Sequence, residues 1–83
     1  MTFRVHVRVM PRRGLLDPQG LAVEGALKAL KFAHATNVHV GRAIEFDLEA
    51  ADQSAAATVA RAMCDKLLAN PVTEDYLIEV EAQ

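Results

Sequence analysis

The side chains of this chain that could carry out chemistry are few and widely spaced. Cys64 is the only thiol, and it falls beside an apolar helical stripe. Because reactive thiols need exposure and an electropositive setting, we expect Cys64 to be a buried structural residue. The hydroxyls of Ser54 and Thr58 have no histidine at a spacing that would indicate a nucleophile and its base. The sequence therefore predicts no catalytic residue.

Three histidines, His6, His34 and His39, are the candidate metal ligands. Their spacing matches no zinc-binding pattern, so we expect them to form surface ion pairs and not a metal site. Glu45 and Asp47 share one face of a predicted strand, where they resemble solvated carboxylates and not a desolvated acid–base pair. The sequence therefore predicts neither a metal nor a cofactor bound by this chain.

A basic loop, Arg12-Arg13-Gly14, precedes a helix start, which is a place where proteins can hold an anion. Acylphosphatases use a corner of this kind, but their glycine-rich phosphate loop is absent here, and Asp17 would repel an anion from the helix N-terminus. A P-loop or dinucleotide fingerprint is also missing. These features argue against a phosphate-handling enzyme.

Length and composition define the class of protein. We expect a single domain over residues 1–83, and a chain of 83 residues buries only about 60% of its unfolded surface. The net charge of -2 argues against a nucleic-acid binder, which would show a basic excess. The lone cysteine indicates a reduced, cytoplasmic setting. No long apolar run occurs, so we expect neither a signal peptide nor a membrane span.

The first predicted elements are a strand and a helix. Apolar residues occupy every second position from Phe3 to Val9, which predicts a half-buried strand that Pro11 ends. Asp17-Pro18 is typical of a helix start, so we expect a helix over residues 18–32. Gly25 marks either a close packing contact or a tolerated glycine on a solvated face. The expected core-facing stripe of this helix consists of Val23, Leu27 and Leu30, widened by Ala26 and Ala33.

The middle of the chain allows two interpretations. Its five apolar residues, from Val38 to Leu48, all fall at even positions. One long strand, bent at Gly41, keeps all five on one face. A hairpin at Gly41-Arg42 would instead place Ile44 and Phe46 on the face opposite the two valines. We favour the long bent strand, although it puts Arg42 on the apolar face, where the side chain must reach an edge or a partner.

A second helix and a closing strand complete the predicted elements. Asp52 or Ser54 is expected to cap the helix, which runs to about Ala69 and stops at Asn70-Pro71. The last strand shows apolar alternation at Tyr76, Ile78 and Val80. The predicted apolar face of the helix consists of Ala56, Val59, Met63 and Leu67, with Ala60, Cys64 and Leu68 beside it.

These elements predict an α+β fold, with two helices packed on one face of a small, mainly antiparallel sheet. The order is β-α-β-α-β with a long bent middle strand, or β-α-β-β-α-β of the ferredoxin-like type if that strand breaks at Gly41. The outer face of strand 1 is basic and those of the other two strands are acidic. Because opposite charges on neighbouring strands attract, this pattern suits strand 1 in the middle.

Three stretches together resemble the PurS family, the small subunit of phosphoribosylformylglycinamidine synthase in purine biosynthesis. They are Leu16-Asp17-Pro18-Gln19-Gly20 with Ala22-Val23, Val38-His39-Val40-Gly41-Arg42 with Ile44-Glu45, and the run from Met63 to Val72 with Glu74-Asp75-Tyr76. The similarity spans essentially the whole chain. Thr73 stands where the family usually has an apolar residue, and Leu77 stands where a polar one is common.

The resemblance implies a non-catalytic subunit of a glutamine-dependent C–N ligase. That synthase, also called formylglycinamide ribonucleotide amidotransferase, converts formylglycinamide ribonucleotide, ATP and glutamine into formylglycinamidine ribonucleotide, ADP, phosphate and glutamate. A large synthase subunit uses ATP and Mg, and a glutaminase subunit releases ammonia from glutamine. The small subunit, a homodimer or homotetramer, joins the two and aids ammonia transfer. The isolated chain is therefore expected to be inactive, without a cofactor of its own.

The residues expected to face partners are Arg42, Asn70, Pro71, Glu74, Asp75 and Tyr76. We expect the homodimer to form by joining strand edges, with the long bent strand extending past its own domain. On that geometry, Arg42→Glu would weaken self-association or assembly and leave the fold intact. An alternative function is a ferredoxin-like regulatory module that binds a small ligand at a dimer interface.

Overall fold

A computed structural model describes residues 1–83 as three strands and two α-helices. A π-helical turn, Cys64–Leu68, continues the second helix. The expected α+β class, with two helices and a small antiparallel sheet, is confirmed. Neither α-helix has the length and apolarity that crossing a membrane requires. The elements in chain order are β1 (Thr2–Pro11), α1 (Pro18–Ala29), β2 (Arg42–Glu49), α2 (Gln53–Met63) and β3 (Glu74–Ala82).

The sheet has the strand order β2-β1-β3, and both outer strands run antiparallel to β1. Arg4 lies opposite Asp47 of β2 and Glu81 of β3, and its Nε is 2.7 Å from Asp47 Oδ1. His6 lies between Glu45 and Glu79 in the same register. The expected placement of the basic strand between two acidic neighbours is therefore confirmed.

The core lies between β1 and the inner face of α2, which packs chiefly on β3 and β1. The valines of β1, such as Val5 and Val9, are fully buried. The expected burial of Cys64 is also confirmed, and burial raises the pKa of its thiol. Apolar contact area of this kind is the main stabilising contribution in a small domain.

The predicted face of α2 is partly wrong. The buried stripe is Ala56, Ala60 and Cys64, whereas Leu67 is 82% exposed and Val59 is 42% exposed. Small side chains let the helix approach the valine surface of β1 closely, so the larger residues of the neighbouring stripe stay outside. Asp52, not Ser54, caps the helix by accepting a hydrogen bond from the Ala55 N–H at 2.8 Å.

Helix α1 is joined to the rest of the chain at one side and makes no extensive contact with any strand. Gly20 is its one buried residue. The predicted stripe is therefore not buried against the sheet of its own chain, since Val23 is 40% and Leu30 is 67% exposed. The helix ends at Ala29, three residues before the predicted Phe32, and Lys31 adopts a left-handed conformation just beyond it.

The middle strand is shorter than expected. β2 begins at Arg42, and residues 38–41 lie outside the sheet, so both the long bent strand and the hairpin are wrong for this segment. The N–H groups of Val38 and Val40 donate to carboxylates on the α1 side and not to a neighbouring strand. Alternation predicted which side chains share a face, but it did not reveal these acceptors.

Candidate functional site

The three stretches that carry the family resemblance meet in space at the Pro11 end of β1. We call this region the junction and define it as residues 11–20, Glu24, and residues 38–42 and 68–76. They surround an open cleft of about 470 Å³ whose lining includes Leu16, Gln19, Gly41 and Thr73. Motifs far apart in the sequence therefore build one local structure.

Asp17 links helix α1 to the segment before β2. Its Oδ1 accepts the Gly20 N–H at 3.1 Å, as an N-cap does, and its Oδ2 accepts the Val40 N–H at 3.0 Å. His39 Nδ1 lies 3.3 Å from the same carboxylate, and the Asp17 side chain is only 8% exposed. The two backbone donors hold the pKa of Asp17 below its usual value. The carboxylate is thus a structural link, and it stays ionised.

Glu24 makes a second link of the same kind. Its Oε1 accepts the Val38 N–H at 3.1 Å, and its Oε2 lies 3.3 Å from Lys28 Nζ. The hydrogen bond from the Val38 N–H is the main cause of the lowered pKa of Glu24, and the bond from Lys28 lowers it further. Two carboxylates of α1 therefore take the N–H groups that a strand would have given to a sheet ladder.

Two glycines allow the backbones of the junction to touch. A Cβ on Gly20 would lie 2.1 Å from the Val38 carbonyl oxygen, and one on Gly41 would lie 2.2 Å from the Val9 carbonyl oxygen. Because backbone atoms cannot swing aside, both positions require glycine. Gly25 has no such neighbour within 4 Å, so it makes no close packing contact within its own chain.

Arg42 ties β2 to the end of the second helix and to the start of β3. Its Nη1 and Nη2 donate to the two carboxylate oxygens of Glu74, at 2.7 and 3.0 Å, and Nη2 also reaches the Leu68 carbonyl oxygen. Glu74 Oε1 in turn accepts the Asn70 N–H at 2.7 Å. The hydrogen bond from Arg42 is the main cause of the lowered pKa of Glu74, and the bond from the Asn70 N–H lowers it further. Three of the predicted interface residues are thus joined within the chain.

The other three predicted interface residues lie nearby, but they contact different residues of the same chain. The Pro71 carbonyl accepts from Arg12 Nη2 at 2.7 Å, and Arg12 Nε is 3.3 Å from Asp75 Oδ1. The Tyr76 hydroxyl donates to Asp65 Oδ1 at 2.9 Å, and this bond raises the pKa of Tyr76. The structure therefore brings the six residues to one end of the sheet, where each has a contact in its own chain.

Sequence reasoning missed the residues that hold the junction together. The sequence pattern places Arg12 only in a basic loop and Asp17 only at a helix cap. Their second contacts cross from one motif to another, and nothing in a local pattern indicates them. The one available signal was the position of Arg12 directly after β1, because the antiparallel neighbour of that strand end is the start of β3.

The junction presents apolar side chains to the outside and pairs its charges, apart from Arg13. Leu16 is 77% exposed and Val72 is 74% exposed, and they come from two of the three stretches. No group of three or more histidine, cysteine or acidic residues is arranged to hold a metal ion. Fixed backbone with projecting apolar side chains is a surface suited to a protein partner.

Comparisons with known proteins agree on one family. The family model for PurS, phosphoribosylformylglycinamidine (FGAM) synthase, matches residues 4–82. The PurS subunit of Bacillus subtilis is 40% identical over 79 residues, which cover 95% of this chain and 93% of that protein. The PurS subunit of Synechocystis is also 40% identical, over 95% of this chain and 77% of the relative.

Solved structures show the same relationship in three dimensions. A crystal form of Bacillus subtilis PurS superposes with a TM-score of 0.87 at 39% identity and covers 96% of this chain and 99% of that one. A chain of PurLQS from Thermotoga maritima superposes with a TM-score of 0.88 at 28% identity, over 96% of this chain and 98% of that chain. The chain therefore belongs to the PurS family of phosphoribosylformylglycinamidine synthase subunits.

Proposed function

We propose that this chain is the PurS subunit of a multi-subunit phosphoribosylformylglycinamidine synthase in purine biosynthesis. The observation that carries the proposal is its similarity, over 98% of that chain's length, to a chain of the PurLQS structure. The assembly would convert formylglycinamide ribonucleotide, ATP and glutamine into formylglycinamidine ribonucleotide, ADP, phosphate and glutamate. It belongs to the glutamine-dependent C–N ligases.

Within that assembly the chain acts as a bridge and forms or breaks no bonds itself. It joins the large synthase subunit to the glutaminase subunit and aids the passage of ammonia between them. ATP, Mg and glutamine are used by the partner subunits. Residues 1–83 act as one domain, the chain self-associates as a homodimer or homotetramer, and the setting is the cytoplasm.

The junction is the surface that we assign to the larger subunits. Its six predicted residues lie at one end of the sheet: Arg42, Asn70, Pro71, Glu74, Asp75 and Tyr76. Leu16 and Val72, two apolar side chains that project from the same end, join them in the proposal. Support comes from the internal hydrogen bonds of the junction, because a surface that is already ordered loses little entropy on binding.

Reconstitution of the synthase tests this function. The chain is mixed with the large synthase subunit and the glutaminase, and product formation is followed with either glutamine or ammonia as the nitrogen source. Glutamine-dependent activity should need all three proteins, and ammonia-dependent activity should need only the large subunit. Full glutamine-driven synthesis without this chain, or turnover by the chain alone, would contradict the proposal.

A pair of variants tests the assigned surface in the same assay. Leu16→Asp should lower glutamine-dependent activity and leave ammonia-dependent activity unchanged, because a charge in an apolar contact is costly. Leu77→Asp is the matched control, since Leu77 is 61% exposed on the opposite, charged face of the sheet. Equal losses from both variants would exclude the junction as the specific docking surface.

The alternative of a ligand-binding regulatory module gives a different result. Calorimetric titration of the isolated chain with glutamine, ATP or ADP would then show saturable binding, and glutamine-driven synthesis would proceed without the chain. That combination would favour the alternative. An absence of binding together with a requirement for the chain supports the subunit.

A further inference from the structure

An exposed valine lies in the turn that leads from the second helix into β3. The turn consists of residues 70–74, and we call it the 70–74 turn. The Val72 side chain is 74% exposed. Turns favour Gly, Pro, Asn, Asp and Ser because these residues suit the turn backbone, and Asn70 and Pro71 already meet that need here. The fold of the chain therefore gives no reason for an apolar side chain at position 72.

The backbone of the 70–74 turn is completely hydrogen-bonded. Asn70 Oδ1 accepts the Val72 N–H at 3.0 Å. The Asn70 carbonyl oxygen accepts the N–H groups of Thr73 and Glu74, at 3.2 and 2.8 Å. The Asn70 N–H donates to Glu74 Oε1 at 2.7 Å, and Pro71 has no N–H to satisfy. Every backbone donor of the turn is thus bonded within the chain, so the turn has one well-defined shape.

Arg12 fastens the same turn to the end of β1. Its backbone N–H donates to the Thr73 carbonyl oxygen at 2.8 Å, and its Nη2 donates to the Pro71 carbonyl oxygen at 2.7 Å. Its Nε lies 3.3 Å from Asp75 Oδ1. One residue therefore holds the turn through both its backbone and its side chain.

The charged side chains that contact the turn are paired inside the chain. Arg12 pairs with Asp75, and Glu74 pairs with Arg42 at 2.7 Å. The turn therefore offers a partner an apolar side chain on a fixed backbone and no free charge of its own. The complementary surface is a neutral, apolar pocket, because a charged group placed there would lose its water without gaining a counter-charge.

Leu16, the other projecting side chain of the junction, is less firmly held. It is 77% exposed, but its N–H has no acceptor in the chain, and the adjacent Leu15 N–H makes only a 3.3 Å bond to the Arg12 carbonyl oxygen. A side chain that is already ordered loses less entropy on binding. Of the two, Val72 is therefore the better suited to be the fixed point of a contact.

We propose that Val72 is the anchor residue of the junction and enters a neutral, apolar pocket on a larger subunit. Asn70 is the positioning residue that holds Val72 in the orientation needed for entry. The paired charges around the turn then form a polar rim about an apolar centre, as in other protein interfaces. This inference rests on the proposed function, because it requires those subunits as partners.

Substitution of Val72 gives the first test, in the reconstituted synthase. The quantity measured is the concentration of this chain that gives half-maximal glutamine-dependent activity. Val72→Asp should raise it roughly 100-fold or more, because a charge would enter an apolar pocket, and Val72→Ala should raise it about 10-fold. Leu77→Asp, at a leucine 61% exposed on the charged sheet face, is the matched control and should leave it unchanged.

A double-mutant cycle tests the role of Asn70. Asn70→Ala removes the acceptor of the Val72 N–H and should raise the half-maximal concentration about 5-fold. In the Val72→Ala background the same change should raise it less than about 2-fold, because the side chain that Asn70 positions is gone. A full effect of Asn70→Ala in both backgrounds would overturn the positioning role.

Folding, self-association and contrary outcomes are measured on the same variants. The altered side chains are exposed, so far-UV circular dichroism and sedimentation equilibrium of each variant alone should match the unaltered chain. If glutamine-driven synthesis needs no copy of the unaltered chain, the proposed function fails and this inference fails with it. If it needs the unaltered chain but Val72→Asp replaces that chain at the same concentration, only this inference fails. An equal loss in Leu77→Asp, or weaker self-association in Val72→Asp, would also overturn it.

Discussion

The sheet core and the junction are stabilised by different forces. In the core, the valines of β1 meet small side chains of α2, such as Ala60, and the contact is almost wholly apolar. In the junction, Asp17, Glu24 and Arg42 hold three segments together by directional hydrogen bonds. Apolar burial depends mainly on area, whereas hydrogen bonds fix distance and angle. The family motifs lie in the region where geometry, and not only burial, must be specified.

The largest expected difference comes from two glycines in the same helix. Gly20→Ala should lower the free energy of unfolding by about 2 kcal/mol, because the new Cβ would overlap the Val38 carbonyl oxygen. Gly25→Ala meets no atom within 4 Å and should raise it by about 0.5–1 kcal/mol through helix propensity. Urea denaturation of both variants measures the contrast. Similar effects at the two positions would show that the close approach in the junction is unimportant.

Acid should loosen the junction before it affects the sheet core. The pKa values of Asp17, Glu24 and Glu74 are lowered from ordinary values of 3.8 for Asp and 4.5 for Glu. Near pH 4 the unfolded chain therefore binds more protons than the folded one. The stability that these three carboxylates contribute is fully present above their ordinary pKa values, and it is lost as the pH falls.

Hydrogen exchange at single amides measures this contrast. As the pH is lowered from 6 to 3, the N–H groups of Val38, Val40 and Asn70 should lose protection, after correction for the intrinsic exchange rate. The amides of Val5 and Val7 in β1, whose strand packing involves no carboxylate of the junction, should keep theirs. Parallel loss at both sets of amides would argue for a single cooperative unit.

The smallest expected difference is between the losses of stability caused by removing the Arg42 side chain and by removing the Arg4 side chain. Arg42→Ala removes two bonds to Glu74 and one to the Leu68 carbonyl, and should cost less than about 1 kcal/mol because the guanidinium is half exposed. Arg4→Ala removes one hydrogen bond to Asp47 on the open sheet face and should cost less still. Thermal denaturation compares them, with Arg42→Lys as the control for the forked contact. A larger loss from Arg4→Ala would reverse the ranking.

The structure also changes what Arg42→Glu would test. This substitution would place a carboxylate against Glu74 inside one chain. Weaker self-association in that variant would therefore be accompanied by a loosened junction.

Local features of the fold could be predicted from the sequence. The alternation from Phe3 to Val9 identified the buried face of β1, because side chains on a strand point to opposite faces. Asp17-Pro18 located the start of α1, because the cap acts within one turn of the helix. The signs of the charges placed β1 between two acidic strands, because residues directly opposite each other on neighbouring strands interact.

Long-range features could not be predicted in this way. Periodicity showed that Val23, Val59 and Leu67 lie on apolar helix faces that should be buried. It does not indicate which chain buries them. The contacts of Gly20 with Val38 and of Gly41 with Val9 join segments that no spacing rule connects. Residues 38–40 have the pattern of a strand, and only the carboxylates of α1 explain why they are not one.

The burial of Cys64 has a practical consequence for studying this molecule. Cys64 begins the π-helical turn that continues the second helix, its side chain is fully buried in the core with the valines of β1, and burial raises the pKa of its thiol. Maleimide dyes and nitroxide labels should therefore not react with Cys64 under native conditions. A cysteine introduced on the exterior would be the sole point of attachment, and distances between labelled copies could be read by pulsed electron resonance without deleting the native residue.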